Sequence, residues 1–176
     1  MAEKVKKIMD KDGLGKTLAR LAHEVIEKNE NLDEIGLVGV RSRGDLIALR
    51  IAARIEKITG KTVPVGAIDI TFYRDDVGLK IAKVAQSTDI KFNIDGKNII
   101  LVDDVLYTGR STRAAIDALL DLGRPKKIQL LVLIDRGHKQ LPIHADYVGK
   151  NIPTAFKESV DIKMQEVDGE DSITIK

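Results

Sequence analysis

Two periods organise the apolar positions of this chain. Over residues 12–29, Leu18, Leu21, Ala22 and Val25 recur at helical spacing, with Lys16, Arg20, His23 and Glu27 opposite them. A second helix is expected over 45–58, with Leu46, Leu49, Ile51 and Ile55 among its apolar positions, and a third over 111–122, closed by Gly123 and Pro125. Three runs with little or no polar interruption, 35–40, 99–102 and 128–134, predict short strands buried on both faces. Residues 65–73 read as extended, and 74–96 are poorly patterned, with turn signals at Gly78 and Asp95-Gly96. Near the end, Val160, Ile162 and Met164 alternate with polar residues, and Asp168-Gly169 turns that segment into a last strand at 172–175. Strands alternating with helices predict an α/β fold, a parallel sheet flanked by helices. Such sheets bind ligands at the carboxyl ends of their strands.

Those ends carry the chemistry. The strand at 99–102 runs into Asp103 and Asp104, and a small-residue loop, Thr108-Gly109-Arg110-Ser111-Thr112, leads into the third helix. Adjacent carboxylates suit a ribose diol, because each accepts hydroxyl hydrogen bonds. A Thr/Gly/Ser loop entering a helix suits a phosphate, because backbone N–H groups and the helix dipole point at it. Together they suggest one ligand, a ribose 5-phosphate. The other two strands end in Arg41-Ser42-Arg43-Gly44 and Asp135-Arg136-Gly137-His138, so one sheet edge gathers cations, carboxylates and a phosphate loop.

Composition narrows the partners. The 176 residues are 43% hydrophobic and 32% charged, which suits one soluble domain with a real core. Aromatics are 3% with no Trp, which argues against stacking several RNA bases on rings. The net charge of +2 is too small to imply nucleic-acid binding by itself, so any RNA site must be a local basic patch. With no Cys, disulfides and thiolate metal sites are excluded. The charged start, Met1 to Lys7, lacks the apolar core of a signal peptide, and no apolar run approaches the ~18 residues of a membrane span. The expectation is a cytoplasmic protein with no membrane or DNA partner.

The apolar run, paired acids and Thr-Gly loop resemble the signature of the type I phosphoribosyltransferases. Five further stretches narrow the likeness: Asp69 to Asp76, Val102 to Arg110, Gly123 to Pro125, Ile134 to His138, and Ala145 to Thr154. Together they resemble the bacterial pyrimidine operon attenuation regulators, which are also uracil phosphoribosyltransferases; the likeness spans roughly residues 12 to 175. The resemblance implies a single domain over 1–176, with a flap at about 70–96 and a small hood formed mainly by 135–154 and the N-terminal segment. It implies conversion of uracil and phosphoribosyl pyrophosphate (PRPP) to UMP and pyrophosphate, with Mg2+ accompanying PRPP. In that reading Asp103 and Asp104 hold the ribose hydroxyls, and Thr108, Gly109, Arg110, Ser111 and Thr112 grip the 5-phosphate. Arg41, Ser42, Arg43 and Arg74 stabilise departing pyrophosphate, and Asp103, Asp104, Arg74 and Arg43 form the catalytic set. Asp135, Arg136 and the backbone near Val105 and Ile152 read uracil. Tyr107 stands where 6-oxopurine members carry an Asp that handles purine N7; a Tyr, with an ordinary pKa of ~10, does not take that role.

The resemblance also implies a homodimer or homotetramer that binds pyrimidine-operon leader mRNA when a uridine nucleotide is bound. Its basic face would comprise Arg20, His23 and Lys28 on the first helix and Lys139, His144 and Lys150 in the hood. From composition alone, Arg20 and Lys28 read equally as a solvated helix face paired with Glu24. The chain departs from its relatives at Ala19, Lys139 and His144, where they carry Thr, Arg and Arg, and at 77–90, which is more apolar than their flap. Two other readings remain: a nucleotide-sensing RNA-binding regulator without enzyme activity, and a phosphoribosyltransferase for another base. Gly15-Lys16-Thr17 imitates the tail of a P-loop, but Asp10 replaces its leading Gly and residues 3–9 do not read as a buried strand. His23, His138 and His144 are too scattered in sequence to suggest a metal site.

Overall fold

A computed structural model describes residues 5–75 and 87–176. Five strands form one parallel sheet in the order β3 (Val65–Ile68), β2 (Ile35–Val40), β4 (Asn98–Leu106), β5 (Lys127–Asp135), β6 (Tyr147–Asn151). The central strands alternate between two cores, as period-2 geometry requires. Ile100, Val102, Leu131 and Leu133 face one core with helix α1 (Lys11–Lys28) and helix α2 (Gly44–Thr59). Ile99, Leu101, Leu130 and Val132 face the other with Ala114, Ala115, Ala118 and Leu119 of helix α3 (Arg110–Leu122). Helices on both faces explain why these strands read as unbroken apolar runs.

The chain leaves β2 through α2 to β3 on one side, then returns past β2 to β4 on the other. The reversal opens a crevice beyond the ends of β2 and β4, the usual ligand position in an open parallel sheet. Two glycines let its walls meet. A Cβ on Gly39 would lie 2.3 Å from the Asp45 Cα, and one on Gly44 would lie 2.4 Å from the Val102 carbonyl oxygen.

Several elements differ from the sequence pattern. Strand β4 continues through Leu106, with Asp103 opposite Val132 and Val105 opposite Ile134, so the paired acids lie within the strand. On the β2 side the ladder stops at Val102, and there the acids emerge beyond it. The extended segment expected over 65–73 ends at Ile68. A 3-10 turn at Thr71–Tyr73 follows, because the Asp69 carboxylate accepts the Thr71 N–H (2.9 Å) and hydroxyl (2.6 Å). Leu49, expected among the apolar positions of the second helix, is 55% exposed.

Two strands are additional. β6 is short and edge-placed; its Tyr147 is buried, accepting from Asn29 and donating to Gln129, which fixes the end of α1 against the sheet. Strand β1 (Lys6–Met9) is mostly exposed and pairs with β8 (Ser172–Ile175), which pairs with β7 (Val160–Lys163). This second sheet joins the N-terminal segment to 160–175. Tyr147–Asn151, within the 135–154 range expected to contribute to a hood, forms the edge strand of the main sheet. Asp10 caps α1 by accepting the Gly13 N–H at 2.8 Å, so Gly15-Lys16-Thr17 lies inside a helix and not in a phosphate loop.

Candidate active site and basic face

Asp103 sits at the crevice with 7% of its surface exposed, its Oδ1 accepting the Asp104 N–H at 2.8 Å. Asp104 in turn accepts the Val105 N–H at 2.7 Å. Burial, then the charge and hydrogen bond of Asp104, push the Asp103 carboxyl well above the ordinary carboxylate range; the Asp104 N–H and the Arg74 charge pull it partly back. Strand β4 carries both acids to the crevice floor, and the close Gly44 contact lays the 41–44 turn beside them: a Gly44 Cβ would stand 3.1 Å from the Asp103 Cα. The Arg41–Ser42 peptide bond is cis.

Beyond β4 a cavity of about 320 Å3 is lined by Arg74, Val105 and the continuous stretch Leu106 to Thr112. Gly109 takes φ +92°, open to glycine at no steric cost, and starts α3 without a side-chain cap. Gly109 offers no side-chain cap to this 13-residue helix, and the Thr108 hydroxyl accepts only a long 3.4 Å contact from the Arg110 N–H, so the first-turn N–H groups at the cavity end suit an anion. Thr108, Gly109, Arg110, Ser111, Thr112 and Arg74 are thus brought together. The Arg110 guanidinium also reaches Asp75 (2.8 Å) and Gln140 (3.3 Å), and the Gln140 N–H donates to the Thr108 carbonyl.

The two limbs flanking the expected flap are anchored. Tyr73 donates to Asp121 on α3 at 2.7 Å, and Arg113 donates to the Tyr73 carbonyl. On the returning side Asp89 pairs with Ala67, and Arg41 donates to the Ser87 carbonyl at 2.8 Å. Residues 76–86 of that flap lie outside the described residues. Arg41 also pairs with Asp45 at 3.2 Å, and Ser42 is exposed.

The residues expected to read uracil are placed unevenly. Val105 lines the cavity, and Asp135 ends β5 beside Leu106, its Oδ1 accepting the Gly137 N–H. Ile152 is buried, and its N–H is already committed to the Asp135 carbonyl. Arg136 is 8% exposed and engaged on three sides: Nε to the Thr154 hydroxyl, Nη2 to the Glu158 carbonyl, and its face 3.9 Å from the Tyr107 ring centroid. Tyr107, His138 and Phe156 cluster with ring centroids 5.5–6.0 Å apart, His138 edge-to-face with both partners and Tyr107 tilted against Phe156. Phe156 and Glu158 carry no local sequence signal for this cluster; their partners Tyr107 and Arg136 stand 49 and 22 residues away.

Arg20, His23 and Lys28 lie on α1 and Lys150 on β6, which packs against it, whereas Lys139 and His144 lie in the segment between β5 and β6. Arg20 pairs with Glu24 at 2.6 Å and donates to the carbonyls of Val148 and Gly149. Lys28 donates to the Asp146 carbonyl at 2.7 Å and lies over the Tyr147 ring. His23 and Lys150 are exposed. Lys139 stands 3.3 Å from Asp135 and 3.5 Å from the His144 ring nitrogen.

Comparison with known proteins agrees with this geometry. The phosphoribosyl transferase domain family matches residues 4–166. A bifunctional protein PyrR of Pelotomaculum thermopropionicum is 55% identical over 99% of this chain and 97% of its own. The PyrR of Elusimicrobium minutum is 56% identical over 97% and 96%, and that of Clostridioides difficile 50% over 100% and 99%. The chain belongs to the PyrR family of phosphoribosyltransferases. Among solved structures, a hypoxanthine-guanine phosphoribosyltransferase of Bacillus anthracis superposes with TM-score 0.70 at 21% identity over 98% of both chains. A Trypanosoma cruzi hypoxanthine phosphoribosyltransferase bound to its product IMP gives 0.72 at 18% identity, over 99% of this chain and 92% of that one. These distant structures share the PyrR fold of parallel sheet and flanking helices. Among the described residues no helix is long and apolar enough to cross a membrane.

Proposed function

We propose that this chain performs both activities of its family: uracil phosphoribosyl transfer from PRPP, and uridine-nucleotide-dependent binding of pyrimidine-operon leader mRNA. The observation that carries the enzymatic reading is the Asp103–Asp104 pair, the first buried and the second half-buried, next in the chain to the Val105–Thr112 cavity, with Arg74 in its lining. The spacing suits a ribose 5-phosphate, with hydroxyls at the acids and phosphate at the head of α3.

Transfer breaks the bond from ribose C1 to pyrophosphate and forms one to uracil N1, whose proton is released to the medium. Positive charge develops at C1, and Asp104, held by the Val105 N–H, is placed to offset it. Asp103 accepts a ribose hydroxyl and fixes the backbone of its neighbour. Arg41, Arg43 and Arg74 neutralise the leaving group. Uracil lies toward Val105, Asp135 and Ile152, while Arg136 shapes that wall through Tyr107. No cluster of three or more His, Cys, Asp or Glu among the described residues forms a metal site by itself. The hard carboxylate oxygens of Asp103 and Asp104 fit a Mg2+ that arrives with PRPP, where it would screen pyrophosphate charge.

The RNA reading rests on the basic residues that α1 and β6 bring together, in a chain 50–56% identical to bifunctional relatives. Assembly as a dimer or tetramer and a cytoplasmic location belong to the same proposal.

The deciding assay measures pyrophosphate release from PRPP with uracil, hypoxanthine and guanine separately. Turnover with uracil alone is expected, and Asp104→Asn should lower it by about two to three orders of magnitude while the fold persists. Release with a purine and not uracil refutes the substrate; unchanged UMP formation in Asp104→Asn refutes the site. Leader-hairpin binding without any release leaves a nucleotide sensor in place of an enzyme.

A further inference from the structure

Arg43 ends the turn after β2 and opens α2, yet its strongest contact comes from the far end of the chain. Its Nη2 lies 3.0 and 3.2 Å from the two carboxylate oxygens of Asp168. Asp168 is itself fixed. It belongs to the single helical turn α4 (Gln165–Asp168), and its Oδ2 accepts the Met164 N–H at 2.8 Å. Four further bonds tie that segment to the same helix. Arg50 of α2 binds Glu166 at 2.6 and 2.8 Å and Asp171 at 2.8 and 3.1 Å, and Asp171 accepts the Gln165 N–H.

Among the described residues only Nη2 of the Arg43 guanidinium makes a hydrogen bond, and the side chain keeps 30% of its surface exposed. Nε is buried and has no hydrogen-bond partner among the described residues. A guanidinium whose fork is only partly used keeps donors for an anion on its exposed side. A carboxylate gripping the whole fork of Arg43 would compete with a ligand. A carboxylate gripping one corner orients the guanidinium and leaves its other edge free.

We propose that Asp168 is a positioning residue for Arg43, holding one corner of the guanidinium so that the part of the side chain left exposed meets the pyrophosphate of PRPP. The C-terminal turn thereby takes part in substrate recognition although it lies 125 residues from the loop it supports. The inference rests on the reading of residues 41–44 as the pyrophosphate loop.

Calorimetric titration of the full chain with PRPP, and separately with UMP, tests it in the wild type, Asp168→Asn, Asp168→Glu, Arg43→Ala, and the Asp168→Asn/Arg43→Ala double variant. Asp168→Asn should weaken PRPP binding about tenfold, within the coupling expected inside one ion-pair network. UMP, which carries no pyrophosphate, should bind unchanged, and the KM for uracil should stay fixed while that for PRPP rises. Asp168→Glu should recover part of the loss. In the Arg43→Ala background the second substitution should add nothing. Unaltered PRPP affinity in Asp168→Asn overturns the proposal, as does a parallel fall in UMP affinity or an undiminished loss without Arg43. A wild type that fails to bind PRPP removes the loop reading and the inference with it. One that binds PRPP but makes no UMP removes only the enzymatic reading, and the binding comparison still decides the role of Asp168.

Discussion

The guanidinium carbon of Arg136 lies over the Tyr107 ring, 3.9 Å from its centroid, where the end of β5 meets the start of the 108–112 loop. With Thr154 and Glu158 holding two of its nitrogens, Arg136 acts as a strut that fixes Tyr107 beside the cavity. Arg136→Ala leaves the buried Thr154 hydroxyl and the Glu158 carbonyl without their partner and should cost about 2–4 kcal/mol in urea denaturation. Arg136→Lys should lose much of the same, because an ammonium reproduces neither the fork nor the planar stack. Tyr107→Phe keeps the ring under the cation and gives up a 3.4 Å contact to the Phe156 carbonyl, so a change below about 1 kcal/mol is expected.

What the sequence made legible follows from how local each cause is. The three apolar runs declared strands β2, β4 and β5, because burial on both faces leaves no polar alternation. The loop from Thr108 to Thr112 was legible for the same reason: one short stretch supplies glycine, hydroxyls and a helix start. Partners such as Arg43–Asp168 and Arg136–Glu158 were not legible, since they join segments with no shared pattern. Edge strands β1 and β6 were missed because a strand that is half exposed and only four or five residues long barely departs from loop composition.

Asp103 makes stability depend on pH. Its carboxyl is pushed upward in the folded chain by burial and by Asp104, so the folded state binds that proton more tightly than the unfolded state does. The favourable contribution is complete below the ordinary carboxylate pKa of 3.8 and is lost as pH rises through the elevated value. Asp103→Asn keeps an oxygen for the Asp104 N–H without the charge. Its melting temperature should exceed that of the wild type at pH 7 to 8, and the gap should close as pH falls toward 4. A gap that widens in acid contradicts the assignment. Turnover should fall even as stability rises, the usual exchange at a functional site.

Gly44→Ala tests the contact between the 41–44 turn and the acidic strand. The new methyl would meet the Val102 carbonyl oxygen at 2.4 Å, and backbone on that side has nowhere to retreat within the sheet. Overpacking of this kind costs about 1–3 kcal/mol. The turn should be displaced as well, so PRPP affinity should fall more than UMP affinity. Gly60→Ala is the contrasting case. No atom lies within 4 Å, but φ is +73°, so backbone strain alone should cost about 1 kcal/mol with both affinities unchanged.

The basic face makes a prediction that separates its two ends. Arg20 ties α1 to the carbonyls of Val148 and Gly149, so its removal both subtracts a cation and loosens the α1–β6 junction. Lys150, exposed on β6, subtracts the cation with less structural cost. With UMP saturating, Lys150→Ala should weaken binding to a pyrimidine-leader hairpin and reduce the slope of log affinity against log salt by about one. Arg20→Ala should reduce the slope by a similar amount and lower thermal stability too. Neither should alter UMP synthesis, because neither residue lines the cavity at β4 and α3. Fluorescence anisotropy over a salt series, read beside a scrambled hairpin, checks this. An unchanged slope in both variants would move the RNA off this face, and equal binding of the scrambled hairpin would remove specific recognition altogether.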